Sequence, residues 1–136
     1  GLLTVLFVDI DRLKPVNDRY GHRAGDRLLV EIARRLENSM RPYDFLARVG
    51  GDEFLAILPG LSPTDVDRRV SQLKKSVARK PIPVAPGVEV DGSVSVGAAA
   101  YRQDAETADD LVEVSDQRMY MDKRNRRGEA AKAVSA

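Results

Sequence analysis

Apolar and polar positions divide the chain into segments with distinct periodicities. Leu2 to Val8 is an almost unbroken apolar run, which predicts a strand buried on both faces. The run ends in Asp9-Ile10-Asp11, and a short turn or helix then extends to about Tyr20-Gly21. Residues 23–40 carry apolar side chains at helical spacing and predict an amphipathic helix that Pro42 ends.

The middle of the chain predicts a hairpin followed by a helix. Two strand-like runs, Phe45 to Val49 and Phe54 to Leu58, flank Gly50-Gly51, and glycine supplies the positive φ that a tight turn needs. The next helix begins at Ser62-Pro63, with Ser62 as N-cap and Pro63 at the first helical position. Its buried stripe is Val66, Val70, Leu73 and Val77.

The last third predicts a loop, a strand and a helix. Pro81 to Gly87 predicts a loop with little regular structure, and Val88 to Ala98 predicts one strand kinked at Gly92. Two strands split at Asp91-Gly92 are the alternative. Thr107 caps a final helix that extends to about Arg124. The order β-α-β-β-α-β-α predicts an α/β sandwich, with helices on a mixed sheet that contains an antiparallel pair.

Composition narrows the possible functions. The chain has 136 residues, 0 Cys and 1 His, which excludes disulfide frameworks, thiolate zinc sites and paired-histidine catalysis. A net charge of +1 argues against a nucleic-acid partner. The apolar run at the start is too short to span a bilayer, and without cysteines or an export signal we expect a cytoplasmic domain. Because the chain starts with Gly, we interpret it as a piece of a longer protein.

Four carboxylates stand out by position. Asp9 and Asp11 follow the buried strand, and Asp52 and Glu53 lie at the hairpin tip. If the hairpin pairs beside the first strand, these groups converge, and converging carboxylates are costly unless a cation neutralises them. Mg²⁺ suits such oxygen ligands and leaves positions open for phosphate oxygens. The alternative is that each carboxylate is simply solvated.

Two long motifs carry a resemblance to a known family. They read VDIDRLKPVNDRYGHRAGD over residues 8–26 and RVGGDEF over residues 48–54. Together they resemble the GGDEF family of diguanylate cyclases, and Ser95-Val96-Gly97 and Tyr120 fit later parts of its pattern. The resemblance extends to about Arg127 and implies a domain over residues 1–128, lacking the family's N-terminal segment, with a flexible tail at 129–136.

The resemblance implies a palm-like fold and a specific reaction. Two GTP molecules are joined into cyclic di-GMP with release of two pyrophosphates, when the 3′-hydroxyl of one attacks the α-phosphate of the other. Each subunit of a homodimer brings one GTP, and an upstream sensory or regulatory domain is expected in the parent protein, which could be anchored to a membrane. The cofactor implied is Mg²⁺ or Mn²⁺, two ions per active site.

The resemblance also implies a role for each matching residue. Asp9, the Ile10 carbonyl and Asp52 are the expected metal ligands, and Glu53 is either the base for the 3′-hydroxyl or a further ligand. The expected phosphate-binding cations are Lys14, Lys123 and Arg127, with Lys14 counted among the catalytic residues. Gly50 and Gly51 let the backbone approach the nucleotide.

Three further residues belong to the expected substrate site. Asn17 and Asp26 are the expected guanine-reading residues, since a carboxylate accepts from the guanine N1–H and amine. Taken outside the motif, Asn17 would be interpreted as a turn-forming residue and Asp26 as a negative charge in the first turn of a helix. His22 lies beside the pocket in the family, although a lone His after Gly21 is more typical of a helix start.

Arg41 and Asp44 form an Arg-x-x-Asp pair whose offset from Gly50 matches the family's inhibitory product site. Arg41 could pair with the guanine edge and Asp44 with its amine side, giving feedback inhibition by cyclic di-GMP. The alternative is a helix-end salt bridge worth under about 1 kcal/mol. A second arginine usually completes this site, and the candidates are Arg68, Arg69 and Arg79.

The chain departs from the family pattern at Leu13, where Phe is usual, and at Arg126, where Gly is usual; the second makes Arg127 less secure than Lys123. An active, product-inhibited cyclase is the main hypothesis. A receptor module that binds GTP or cyclic di-GMP without catalysis is the first alternative. A palm-type cyclase acting on ATP is the second.

Overall fold

The computed structural model describes the backbone of residues 1–135 and the side chains of residues 1–128. The elements in chain order are β1 (Leu3–Ile10), α1 (Leu13–Tyr20), α2 (His22–Asn38), β2 (Phe45–Arg48), β3 (Glu53–Pro59), a 3₁₀ turn (Pro63–Asp65), α3 (Val66–Ala78), β4 (Ile82–Ala85), β5 (Val88–Val90), β6 (Val94–Ala100) and α4 (Ala108–Ser135).

One four-stranded sheet organises the fold. Its strands lie in the order β2-β3-β1-β6, and each neighbouring pair is antiparallel. The predicted sandwich of helices on a sheet is confirmed. The predicted mixed sheet is corrected: among the described residues the pairings of this sheet are antiparallel, because the hairpin places β3 between β1 and β2, so these two strands run in the same direction without touching.

The two faces of the sheet bury different partners. Leu6, Val8 and Ile10 of β1 point toward the larger core, which contains apolar residues of α2 and α3. Val5 points the other way and packs with Leu111 of α4. Because side chains alternate along a strand, Asp9 also lies on the α4 side.

Residues 81–90 differ from the sequence prediction. β4 and β5 pair as a small antiparallel hairpin that turns at Gly87, where φ is 72°. Ile82 and Val84 are buried, whereas Pro83 between them is exposed. The predicted loop is therefore wrong: proline is tolerated in a short edge strand, and the apolar alternation decides the local structure.

The region after β4 forms two strands, as in the alternative interpretation of the sequence. β5 ends at Val90 and β6 begins at Val94, so the single kinked strand is wrong and the split at Asp91-Gly92 is right. Gly92 is buried, and a Cβ on it would lie 2.5 Å from the Val77 carbonyl oxygen. The chain therefore passes α3 at a distance that a side chain would not allow.

The helix ends agree with the prediction at one position and differ at two. The Asp110 amide donates to Thr107 Oγ1 at 3.1 Å, so the predicted cap of α4 is confirmed. Ser62 precedes the 3₁₀ turn and makes no side-chain capping bond. α4 extends to Ser135, beyond the predicted end at about Arg124; the flexibility predicted for residues 129–136 stays a prediction. In the part of the chain that is described, no helix is both long and apolar enough to cross a membrane.

Candidate active site

The tip of the β2–β3 hairpin lies against the end of β1. The Ile10 amide donates to the Asp52 carbonyl oxygen at 3.0 Å, and Asp9 lies opposite Glu53 in the strand register. The hairpin therefore pairs beside the first strand, as the predicted convergence of carboxylates requires. Residues more than forty positions apart in the chain meet at one edge of the sheet.

Arg48 holds the turn of this hairpin. Its guanidinium donates to the Gly50 carbonyl at 3.0 Å and to the Gly51 carbonyl at 2.7 Å. The Val49 amide donates to the Glu53 carbonyl at 2.9 Å and closes the loop. The Glu53 side chain folds over this turn, and its Oε1 would lie 2.9 Å from a Cβ on Gly50.

Asp9 is a partly buried carboxylate with incomplete pairing. Its Oδ2 lies 3.3 Å from Lys123 Nζ, but its buried Oδ1 has no hydrogen-bond partner among the described residues. Burial raises the pKa of Asp9 to about 7; the charge of Lys123 acts against this shift and that of Asp52 adds to it. An ionised Asp9 therefore lacks full compensation at this site.

The donors around Asp9 fit a hard divalent cation. Two carboxylates, Asp9 and Asp52, lie at the end of β1 together with the Ile10 carbonyl, which contacts Lys123 Nζ at 3.2 Å. No group of three or more His, Cys, Asp or Glu residues able to hold a metal occurs in the described part of the chain, so the fit depends on this mixed set. Oxygen donors of this kind, with one carboxylate oxygen unsatisfied, match Mg²⁺ or Mn²⁺.

Asp11 differs from the other three carboxylates. Ser93 and Ser95 each donate a hydroxyl to it at 2.6 Å, and Lys123 Nζ lies 3.6 Å away. These contacts anchor Asp11 to β6 and make it a support for Lys123. The sequence prediction assigned no role to Ser93 or Ser95. The sequence did contain a clue: Ser93 and Ser95 alternate with Gly97 along the chain. This spacing places their hydroxyls on the same side of the strand as Gly97, which faces α4.

A cavity of about 600 Å³ opens beside these groups. Its lining contains five cations and two carboxylates, which favours an anionic ligand. The lining residues are Ile10, Asp11, Arg12, Leu13, Lys14, Pro15, Asp52, Ser93, Lys123, Arg126 and Arg127. The lining thus brings Ile10 and Asp52 together with the three predicted phosphate-binding cations, and it adds Arg12 and Arg126. Asp9 is outside the lining and reaches it through Lys123.

The predicted guanine-reading residues lie outside the lining of this cavity. Asn17 is on α1, and its carboxamide occupies the space left by Gly25 on α2, where a Cβ would overlap it. Asp26 follows Gly25 in the chain and, with Arg27 and Val30, lines a second, shallower depression of about 360 Å³. His22 is exposed at the start of α2.

The Arg-x-x-Asp pair forms a compact second cluster. The carboxylate of Asp44 is fully buried and accepts from the Arg41 amide at 2.8 Å and from Arg41 Nη2 at 2.8 Å. Burial alone would raise the pKa of Asp44, but the hydrogen bonds and charge of Arg41, together with the charge of Arg69, hold it below its ordinary value. The Arg41 guanidinium also lies 4.6 Å from the centre of the Tyr43 ring.

The structure separates the three candidate second arginines. Arg69 Nη2 lies 3.6 Å from Asp44 Oδ2 and donates to the Ser39 carbonyl. Arg68 is exposed and pairs with Asp65, and Arg79 is exposed at the end of α3. Arg69 is therefore the arginine that joins the Arg41–Asp44 pair.

Comparison with known families agrees with this geometry. The family model described as "Diguanylate cyclase, GGDEF domain" matches residues 2–129. The chain belongs to this family. The GGDEF domain so defined covers nearly the whole chain, including both candidate sites.

Known relatives share sequence and fold with this GGDEF domain. Diguanylate cyclase TpbB of Pseudomonas aeruginosa is 40% identical over 126 residues, which are 93% of this chain and 29% of TpbB. A solved TpbB fragment comprising only the GGDEF domain has a TM-score of 0.86 at 42% identity, covering 91% of this chain and 72% of that one. The GGDEF domain of Caulobacter crescentus DgcB, solved with c-di-GMP, has a TM-score of 0.83 at 26% identity, covering 91% and 73%.

Proposed function

We propose that this domain is a diguanylate cyclase, which condenses two GTP molecules into cyclic di-GMP and releases two pyrophosphates. The observation that carries the proposal is the register of β1 and β3. It sets Asp9 and Asp52 around the Ile10 carbonyl, beside a cavity lined by five cations. Family membership supplies the reaction class.

The cavity and the α1–α2 region beside it have separate tasks in this reaction. Lys123 and Arg127 on α4, with Lys14 at the start of α1, bind phosphate oxygens of GTP. Asn17 and Asp26 read the guanine base from the α1–α2 region. Asp26 is exposed on α2, so its carboxylate can accept from the N1–H and amine of guanine, which adenine does not offer in that arrangement.

Asp9, Asp52 and the Ile10 carbonyl would hold the divalent cations, two per site, beside the triphosphate. When bound, such ions neutralise phosphate charge and lower the pKa of an adjacent hydroxyl. The side chain of Glu53 folds over Gly50 at the hairpin tip, next to Asp9 in the register. We assign it to the 3′-hydroxyl of the incoming GTP, as proton acceptor or as a further ligand.

Two copies of the domain are required for turnover. We assign one GTP to the cavity of each domain, and the reaction joins two nucleotides, so each copy presents one GTP to the other. Turnover should therefore depend on pairing of two domains, which an upstream sensory or regulatory domain in a longer protein would control.

The Arg41–Asp44–Arg69 cluster is the proposed site of product inhibition. Arg41 has 30% of its side chain exposed, so part of its fork can reach a guanine edge. The c-di-GMP-bound DgcB domain is a precedent for product binding to this fold. The buried Asp44 accepts hydrogen bonds from Arg41 and so fixes the position of its guanidinium.

The test is direct synthesis from GTP and Mg²⁺. We would assay the chain alone and fused to a parallel coiled coil that enforces pairing, and follow cyclic di-GMP by chromatography. The proposal expects product from the paired form, none from ATP and none from Glu53→Ala. It also expects product to stall early in the unmodified domain and late in Arg41→Ala. GTP binding without product in the paired form would overturn the proposal in favour of a receptor module.

A further inference from the structure

Arg126 lines the cavity but has no role in the function argued above. It lies on α4 three residues after Lys123, so both side chains project from the same face of the helix. Its side chain is 33% exposed, and the covered part lies against the start of β6 near Ser93. A long cationic side chain is thus held at the wall of the cavity.

The Arg126 guanidinium is oriented by a relay of hydrogen bonds. Its Nη1 donates to Ser93 Oγ at 3.0 Å, and Ser93 Oγ donates in turn to Asp11 Oδ2 at 2.6 Å. Nε lies 3.8 Å from carboxylate oxygens of Asp11 and of Asp122, beyond hydrogen-bond distance. This Nε is buried and has no acceptor among the described residues.

The carboxylates near Arg126, those of Asp11 and Asp122, already accept hydrogen bonds from other donors. Asp11 accepts from two serine hydroxyls. Asp122 accepts from Lys74 at 2.6 Å and from the Val96 amide at 2.8 Å. Arg126 therefore keeps one donor, Nε, that nearby carboxylates do not satisfy, and an unsatisfied donor of a charged group is costly.

We propose that Arg126 is a substrate-binding residue that holds the β- and γ-phosphates of the nucleoside triphosphate. This inference rests on the proposed function. Guanidinium is suited to the task because its planar fork pairs two oxygens of one phosphate. Arg126 would thereby add a third phosphate contact from α4 to those of Lys123 and Arg127.

The assignment predicts a selective effect on the phosphates beyond the α-position. We would titrate the domain with an α,β-methylene analogue of GTP, which cannot release pyrophosphate, and separately with inorganic pyrophosphate and GMP, all with Mg²⁺. Arg126→Gln should weaken the triphosphate and pyrophosphate by about tenfold. Its affinity for GMP should stay within about twofold.

Arg124→Gln is the matched control. It removes the same charge from an exposed position on the same helix, outside the cavity lining. It should bind each probe as the unmodified domain does. If Arg124→Gln weakens the triphosphate as much as Arg126→Gln, or if Arg126→Gln weakens GMP equally, the assignment is overturned.

Two further outcomes complete the test. If the unmodified domain binds no GTP analogue, the proposed function itself fails, which is distinct from failure at Arg126. If Arg126→Gln does not fold, as judged by circular dichroism, Arg126→Lys decides the question, since it keeps the charge and loses the fork. A loss confined to the triphosphate and pyrophosphate supports the assignment, and unchanged affinity for them contradicts it.

Discussion

Two charged clusters in this domain are built on the same residue types but differ in how completely they are satisfied. Beside the cavity, Asp9 has one carboxylate oxygen and Arg126 has an Nε that find no hydrogen-bond partner among the residues described. In the Arg41–Asp44–Arg69 cluster, Asp44 is fully buried and both its oxygens accept hydrogen bonds from Arg41. The first cluster leaves a carboxylate oxygen free for ligands, whereas in the second the carboxylate is satisfied within the protein and only the exposed part of Arg41 can reach a ligand.

The difference has an energetic meaning. A buried carboxylate without full compensation opposes folding, and a buried carboxylate with several charged donors supports it. The pKa values follow: burial raises that of Asp9 to about 7, and the donors of Asp44 lower its pKa despite burial. We therefore expect substitution of Asp9 to affect activity and substitution of Asp44 to affect stability.

The largest effect should come from Asp9→Asn. Loss of the carboxylate proposed to bind the metal should reduce cyclic di-GMP synthesis by at least about a hundredfold. The pKa of Asp9 in the fold, about 7, lies above its ordinary 3.8, so its ionisation removes stability as pH rises between these values. In EDTA at neutral pH the variant should therefore melt no lower than the unmodified domain. A clear drop in melting temperature would contradict the contrast between the clusters.

Gly97→Ala should have the next largest effect, because the cavity depends on α4 lying close to β6. A Cβ on Gly97 would overlap the Ser115 carbonyl oxygen and the Met119 amide nitrogen. Moving a helix to relieve such overlap costs about 1–3 kcal/mol of unfolding free energy, measured by urea denaturation. Gly128→Ala, on α4, is the control: a Cβ there meets no described atom within 4 Å, so the change should be neutral or slightly stabilising. Equal effects would show that Gly97 is not a close-packing position.

Asp44→Asn should destabilise the fold in a pH-dependent way. Removing the charge from a fully buried partner of Arg41 should cost about 1–3 kcal/mol at pH 7. Because the pKa of Asp44 is lower in the fold, its contribution is complete above its ordinary pKa and is lost as pH falls. The difference in unfolding free energy between variant and unmodified domain should shrink between pH 5 and about pH 3. A difference that stays constant over that range would rule out the charge as its source.

The smallest effect on the fold should come from Lys14→Gln. The Lys14–Asp18 pair is exposed, with 85% and 64% of the two side chains accessible, so its loss should leave the urea midpoint unchanged. The apparent KM for GTP should rise about two- to fivefold through loss of a phosphate contact. Asp18→Asn breaks the same ion pair and serves as control. A KM increase of the same size there would assign the effect to the ion pair and not to the phosphate.

The periodicity of the sequence was a reliable guide to its elements where one local signal dominated. The apolar run of β1, the stripe of α2 and the Thr107 cap each depend on neighbouring residues, and each prediction holds. The prediction of a loop over residues 81–87 was wrong because it gave the prolines more weight than the alternating, buried Ile82 and Val84. In that segment the contact of β4 with the core determines the conformation.

The sequence predicted which residue types form the site, but it predicted few of the contacts between their side chains. The GGDEF hairpin and the Asp9 motif identified the carboxylates, but neither predicted that Ser93 and Ser95 hold Asp11. Arg126 was notable in the sequence only as a departure from a family pattern, and the fold shows that it lines the cavity. Arg69 could be separated from Arg68 only by its distance to Asp44.

The sequence by itself determined the chain of elements, the family and the acidic and basic residues available for chemistry. These properties are encoded locally, in periodicity, caps and short motifs. Only the tertiary structure decided that β3 lies between β1 and β2, that Asp9 is on the α4 side, and which carboxylates are satisfied. Those outcomes depend on contacts between residues that are distant in the chain, and the balance of burial and pairing that sets them exists only once the sheet and α4 have packed.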